Sequence, residues 1–132
     1  HQGSIMAKKT LYEFSVTGPG SLSDVLLVEV NRDWCREGGT LAATTVDLPV
    51  GAVLAKNDDG DYVPFLAAPG DNQAVAMLIK AAPASAAKQH VSVIRRGAVV
   101  AFSGLGFLTA VTEEQQKTAC GQLTSLGIVV QN

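Results

Sequence analysis

The run Asn57-Asp58-Asp59-Gly60-Asp61 stands between two apolar, β-prone stretches, Ala52 to Ala55 and Tyr62 to Phe65. Few segments limit a fold so sharply, because the run is either a cation-binding loop or a tight reversal. An EF-hand loop needs oxygen ligands at its first, third and fifth positions, glycine at the sixth and a bidentate glutamate at the twelfth. Aligning Gly60 with the sixth position puts Ala55 at the first and Leu66 at the twelfth, and neither side chain can hold a hard cation. The flanks also lack helical periodicity, so no metal is expected. As a reversal the run fits: Asp-Gly between β-prone runs marks a hairpin, since glycine accepts positive φ at little cost. Pro64 lacks a backbone donor, so its strand lies at an edge or stops there.

Similar punctuation continues along the chain. Residues 24–31 read as a strand, 36–40 (Arg-Glu-Gly-Gly-Thr) as a turn and 40–46 as a weaker strand. Residues 68–72 read as a loop, and the apolar run 74–79 suits a buried strand. Residues 81–88 form a small-residue linker, and 90–102 read as two strands parted at Gly97. The one long helix is expected over about 112–126. Thr112 and Gln115 fit a capping box, Glu113 and Glu114 favour the first turn, and Gly127 suits the left-handed stop. Residues 128–130 return as a terminal strand. The expected fold class is therefore α+β, mostly β: one small domain of short strands with a C-terminal helix and a final strand.

At the N-terminus, residues 1–5 read as a cloning remnant and Met6 as the native start. Leu11-Tyr12-Glu13-Phe14-Ser15-Val16 alternates apolar and polar residues, and a Gly/Pro break follows at 17–21. Two readings fit: a β-capable arm on a hinge, or an ordinary first strand of the main sheet.

Charged residues make up only 17% of the chain against 47% hydrophobic, which hints that some apolar surface meets a partner. The net charge of −2 provides no basic field for nucleic acid. Arg95 and Arg96 read as a solvated strand end. No apolar run approaches the roughly 18–20 residues of a membrane helix. Cys35 and Cys120 form no CxxC pair and read as free thiols in a reducing cytoplasm.

Residues with catalytic chemistry are few. His90 is the only histidine outside the presumed remnant and stands at a strand start. Ser103 lacks the glycine two residues earlier that a nucleophile elbow requires. Gly104-Leu105-Gly106 is not a dinucleotide fingerprint, and no phosphate-binding loop occurs. The carboxylates fall in turns and a helix cap. No enzyme and no cofactor are expected; a small hydrolase using Ser103 or the Asp58, Asp59 and Asp61 cluster is the catalytic alternative. Trp34 fits either core packing or an interface anchor.

Three motifs together resemble a known family. Leu-Pro-Val-Gly-Ala-Val-Leu-Ala, 48–55, leads into the hairpin that ends Tyr-Val-Pro, 62–64. Val-Ile-Arg-Arg-Gly-Ala-Val-Val spans 93–100, and Leu-Thr-Ser-Leu-Gly-Ile-Val-Val spans 123–130. Their order and spacing are similar to the head decoration protein D family of tailed bacteriophages, and 32–37 resembles the segment where that family's ordered domain begins. Ala55 stands where the family often has glycine. The resemblance implies a β-clip type of fold and a homotrimer seated at three-fold positions outside the expanded capsid. Such a protein is made in the host cytoplasm, ends in the virion and holds the shell against packaged DNA. Residues 6–23 then form a capsid-binding arm that pairs with the major capsid protein through Leu11 to Val16, and 24–132 form the β-rich domain. Nucleic acid and membrane are not partners. An oligomeric β-rich interaction module of a phage tail or host surface protein is the alternative.

Overall fold

The computed structural model describes residues 21–66 and 73–132. Its elements in chain order are β1 (Leu26–Glu29), α1 (Arg32–Cys35), β2 (Arg36–Leu41), β3 (Val53–Lys56), β4 (Tyr62–Pro64) and β5 (Ala76–Leu78). They continue with β6 (Gln89–Ile94), β7 (Ala98–Ala101), α2 (Glu113–Ser125) and β8 (Ile128–Gln131). The predicted loop 68–72 lies outside the described residues.

The hairpin forms as expected. β3 and β4 pair antiparallel, with Leu54 opposite Pro64 and Lys56 opposite Tyr62. In the reversal the Asn57 side-chain oxygen accepts the backbone N–H of Asp59 and of Asp61, each at 3.0 Å, while Gly60 sits at φ +82°. This is an Asx turn, in which a side chain replaces a backbone acceptor. Asp61 is nearly buried and its carboxylate meets Lys88 at 2.8 Å. β4 stops at Pro64, where the ladder loses its donor.

Around this hairpin a barrel closes in the order β2-β4-β3-β5-β6. β2 runs antiparallel to β6 through six residue pairs, from Arg36 opposite Ile94 to Leu41 opposite Gln89, and touches β4 in parallel at Leu41 and Tyr62. Closure leaves these strands no free edge. The segment 36–40 is thus a strand and not the predicted turn. The strand expected over 40–46 ends at Leu41, leaving Thr44 as an isolated bridge to Ser85. The small-residue linker 81–88 carries that bridge and a second one, from Ala82 to Leu48.

A second sheet, in the order β1-β7-β8, stands beside the barrel. β7 is central, antiparallel to β1 and parallel to β8. Gly97, at φ +68°, parts β6 from β7 and sends them into different sheets. α2 packs on β8, burying Ala119 and Leu123. Its capping box forms: Thr112 Oγ1 accepts the Gln115 N–H at 3.2 Å, and Gln115 Oε1 accepts the Thr112 N–H at 2.8 Å. Gly127, at φ +89°, ends the helix and turns the chain into β8.

One hydrophobic core joins both sheets and the helix. It runs from Leu41, Leu54 and Tyr62 in the barrel to Val100, Leu123 and Ile128 beside it. Phe65 and Phe107 meet edge to face within it, ring centres 6.3 Å apart. The chain is mostly β with one long C-terminal helix and a terminal strand in a single small domain, as its sequence pattern predicts.

Candidate functional site

Apolar side chains stand exposed where the outer sheet meets solvent. Strand register aligns Val28 with Val99 and Val99 with Val129, so one row crosses β1, β7 and β8 on a single face. Val28 is 52% exposed and Val129 46%, with Val99 partly buried between them. A register shift between Leu26 and Val28 brings Leu27 out as well, at 47%. Val30, just past β1, is 72% exposed, and its N–H donates to the Gly97 carbonyl at 2.9 Å.

Trp34, on α1, is a further exposed apolar side chain. Asn31 caps the short helix, its side-chain oxygen accepting the Trp34 N–H at 3.1 Å. Cys35, on the same turn, is fully buried, and its thiol donates to the Gly97 carbonyl at 3.2 Å. Trp34 itself is 52% exposed, which excludes the core-packing reading of this residue. Its ring lies against Gly97, and the Arg96 guanidinium sits 5.9 Å from its centre. The same guanidinium donates to the Trp34 carbonyl at 2.6 Å and to Glu37 at 2.8 Å. An exposed aromatic held in one orientation loses little entropy when a partner covers it.

Charged groups tie α1 and β2 to the segment before Gly97 and to the end of β1. Arg95 reaches Glu37 at 3.5 Å and the Tyr62 hydroxyl at 3.1 Å, so Arg95 and Arg96 bracket one carboxylate and are not the solvated pair the sequence suggests. Hydrogen bonding from Arg96, helped by the Arg95 charge, holds the Glu37 carboxyl below its ordinary value. At the end of β1, Arg36 makes a two-pronged pair with Glu29, at 2.7 and 3.0 Å. Those bonds lower the Glu29 pKa and raise that of Arg36.

Among the sequence-predicted site residues, Leu11, Tyr12, Glu13, Phe14, Ser15 and Val16 lie outside the described residues. Residues 21–23, assigned to the arm, lie where Ser21 begins a short 3-10 turn over Leu22–Asp24, and Leu22 packs against the core. The apolar row was missed, although a signal existed. Val25-Leu26-Leu27-Val28 is apolar on both faces, and such a strand is either covered twice or leaves one face for a partner. Among the described residues, no group of three His, Cys, Asp or Glu is placed to hold a metal ion, and no helix is long and apolar enough to cross a membrane. His90 is exposed on β6, far along the chain from the acidic turn at 57–61.

A barrel flanked by a sheet with an apolar row turned to solvent suits a protein that contacts other proteins. Comparison with known families gives the particular kind. The sequence model of bacteriophage lambda head decoration protein D matches residues 15–128, most of the chain, and the chain belongs to that family. No curated protein matches it. The chain is accordingly a structural, capsid-decorating head protein.

Proposed function

We propose that the chain acts as a homotrimer seated at three-fold positions outside the expanded phage head. Residues 6–20, short of the core-packed turn at Leu22, serve as an arm that pairs with the major capsid protein, and the seated trimer holds the shell against the pressure of packaged DNA. The observation that carries this reading is the family match over 15–128, which begins inside the arm at Ser15. The row of Val28, Val99 and Val129, exposed at both ends, supports the oligomer, since contiguous apolar surface is what subunit contacts cover.

The alternating segment Leu11 to Val16 has the pattern of a strand added to a free edge, where main-chain hydrogen bonds supply affinity. One such arm binds weakly, because ordering it costs entropy. Three arms on one trimer raise the effective concentration, with avidity gains on the order of 10²–10⁴. Binding the expanded lattice alone stabilises that lattice by linkage. No step in this cycle makes or breaks a covalent bond.

Deletion of residues 6–20 tests the arm. The shortened chain is expected to keep the wild-type circular dichroism and number of chains per particle, yet remain in the supernatant when expanded heads are pelleted. Full co-sedimentation of the shortened chain would overturn the role given to the arm.

A further inference from the structure

A second surface lies across the barrel, where β2 and β6 run side by side. Paired residues share a face, so Arg36, Gly38 and Thr40 of β2 stand with Ser92 and His90 of β6. Gly38 contributes no side chain, and a Cβ there would lie 3.1 Å from the His90 ring. Against His90, Val91 and Ser92 of β6, which form its floor, lies a groove of about 590 Å³, within the roughly 300–1,000 Å³ usual for ligand sites. One wall is α1 and the start of β2, which present Arg32 and Arg36 one helical turn apart. The other wall is the β5–β6 connection, with Lys80 above Ile79 and Ala82.

The charge of this groove is one-sided. Arg32, Arg36, Lys80 and His90 line it, and among the described residues no carboxylate does. Three of the chain's ten lysines and arginines thus gather on one feature of a protein whose net charge is −2. Arg36 is matched by Glu29. Arg32 and Lys80 make no hydrogen bond or salt bridge among the described residues. Arg32 also acts on the Glu29 carboxyl, so three cations of the lining, Arg32, Arg36 and Lys80, are set against one neighbouring carboxylate, and the surplus is a local positive potential that an anion would relieve.

We infer that this groove binds an acidic, extended segment of a partner protein, carboxylates toward Arg32 and Lys80 and apolar side chains against Ile79 and Ala82. Guanidinium groups pair carboxylates in a two-pronged geometry, while the apolar part of the lining suits the intervening side chains of a peptide. Nucleic acid fits less well. Among the described residues the lining holds no Phe, Tyr or Trp on which a base would stack, and the molecule's overall charge repels a polyanion beyond the groove. The described lining of this groove includes none of Val28, Val99 and Val129, so the inference goes beyond the head-binding reading and stands or falls without it.

The test uses the full chain and a fluorescein-labelled octapeptide of alternating Glu and Val, read by anisotropy at low and at physiological ionic strength. A Lys-Val peptide and a short oligo-dT serve as comparison probes. Saturable binding of the Glu-Val peptide is expected, weakened by salt. Arg32→Ala with Lys80→Ala should raise the Kd about tenfold, the loss of two exposed ion pairs. Ser92→Glu, which sets a carboxylate on the floor at an exposed strand position, should weaken binding in the same way, and Lys117→Ala on α2 should not. Three results would overturn the proposal: no saturable binding by the wild type, equal binding by both groove variants, or tighter binding of the Lys-Val peptide or oligo-dT than of the Glu-Val peptide.

Discussion

Gly97 carries more constraints than any other single residue of the outer face. Its φ of +68° lies in the region glycine tolerates, and a Cβ there would come within 2.4 Å of the Trp34 ring and 3.1 Å of the Cys35 sulfur. Its carbonyl also receives the Val30 N–H and the Cys35 thiol. Gly97→Ala is expected to cost about 2–3 kcal/mol, since left-handed backbone strain alone is of order 1–3 kcal/mol. Urea unfolding measures this, and an unchanged curve would disprove the tight fit around Trp34. The ion pairs nearby give a pH dependence. Glu29 and Glu37 have folded pKa values below the ordinary 4.5. The stability they contribute is therefore present above about pH 4.5 and lost as the pH falls through the lower folded values. Arg36→Ala removes the chief cause of the Glu29 shift, so its stability should fall less steeply than the wild type's across that acid range. Parallel slopes for the two proteins would show that the Glu29–Arg36 pair adds nothing.

Elements with local causes were readable in advance. The hairpin at 53–64 follows from Asn57 and Gly60, and α2 from Thr112, Gln115 and Gly127, because each depends on neighbours within a few residues. Thr112→Ala should destabilise the fold by about 1 kcal/mol through loss of the cap, and Thr112→Ser should restore most of it. Equal melting temperatures for Thr112→Ala and wild type would show the cap to be inert. Strand β2 was not readable. Gly38-Gly39 imitates a turn, yet both glycines serve close approach: a Cβ on Gly39 would meet the Tyr62 ring at 2.4 Å. The strand exists because β6, some fifty residues later, supplies its ladder, and local propensity carries no record of that partner. Division of β6 and β7 between two sheets was hidden for the same reason, although Gly97 marked the break. On the candidate surface, Trp34 was singled out while Val28, Val99 and Val129 were not, since their alignment exists only once three distant strands pair.

For the whole molecule, the main physical statement is that its apolar surplus is turned outward as well as inward. The barrel and α2 bury one continuous core, while Val28, Val30, Trp34 and Val129 remain at the surface of the outer sheet. An isolated chain would expose that strip to water, and burial in a subunit contact returns roughly 25 cal/mol for each Å² covered. Val28→Asp combined with Val129→Asp should leave the fold intact, as both side chains are half-exposed, and should break the oligomer. Membership in the head decoration family supplies the setting in which the proposed trimer would work. The most direct measurement is sedimentation equilibrium of the wild-type chain at micromolar concentration. The expected species has three times the 13.7 kDa mass of one chain, and the double aspartate variant returns to a single chain mass. A wild type that stays at 13.7 kDa at every concentration would contradict a trimer that docks on the phage shell.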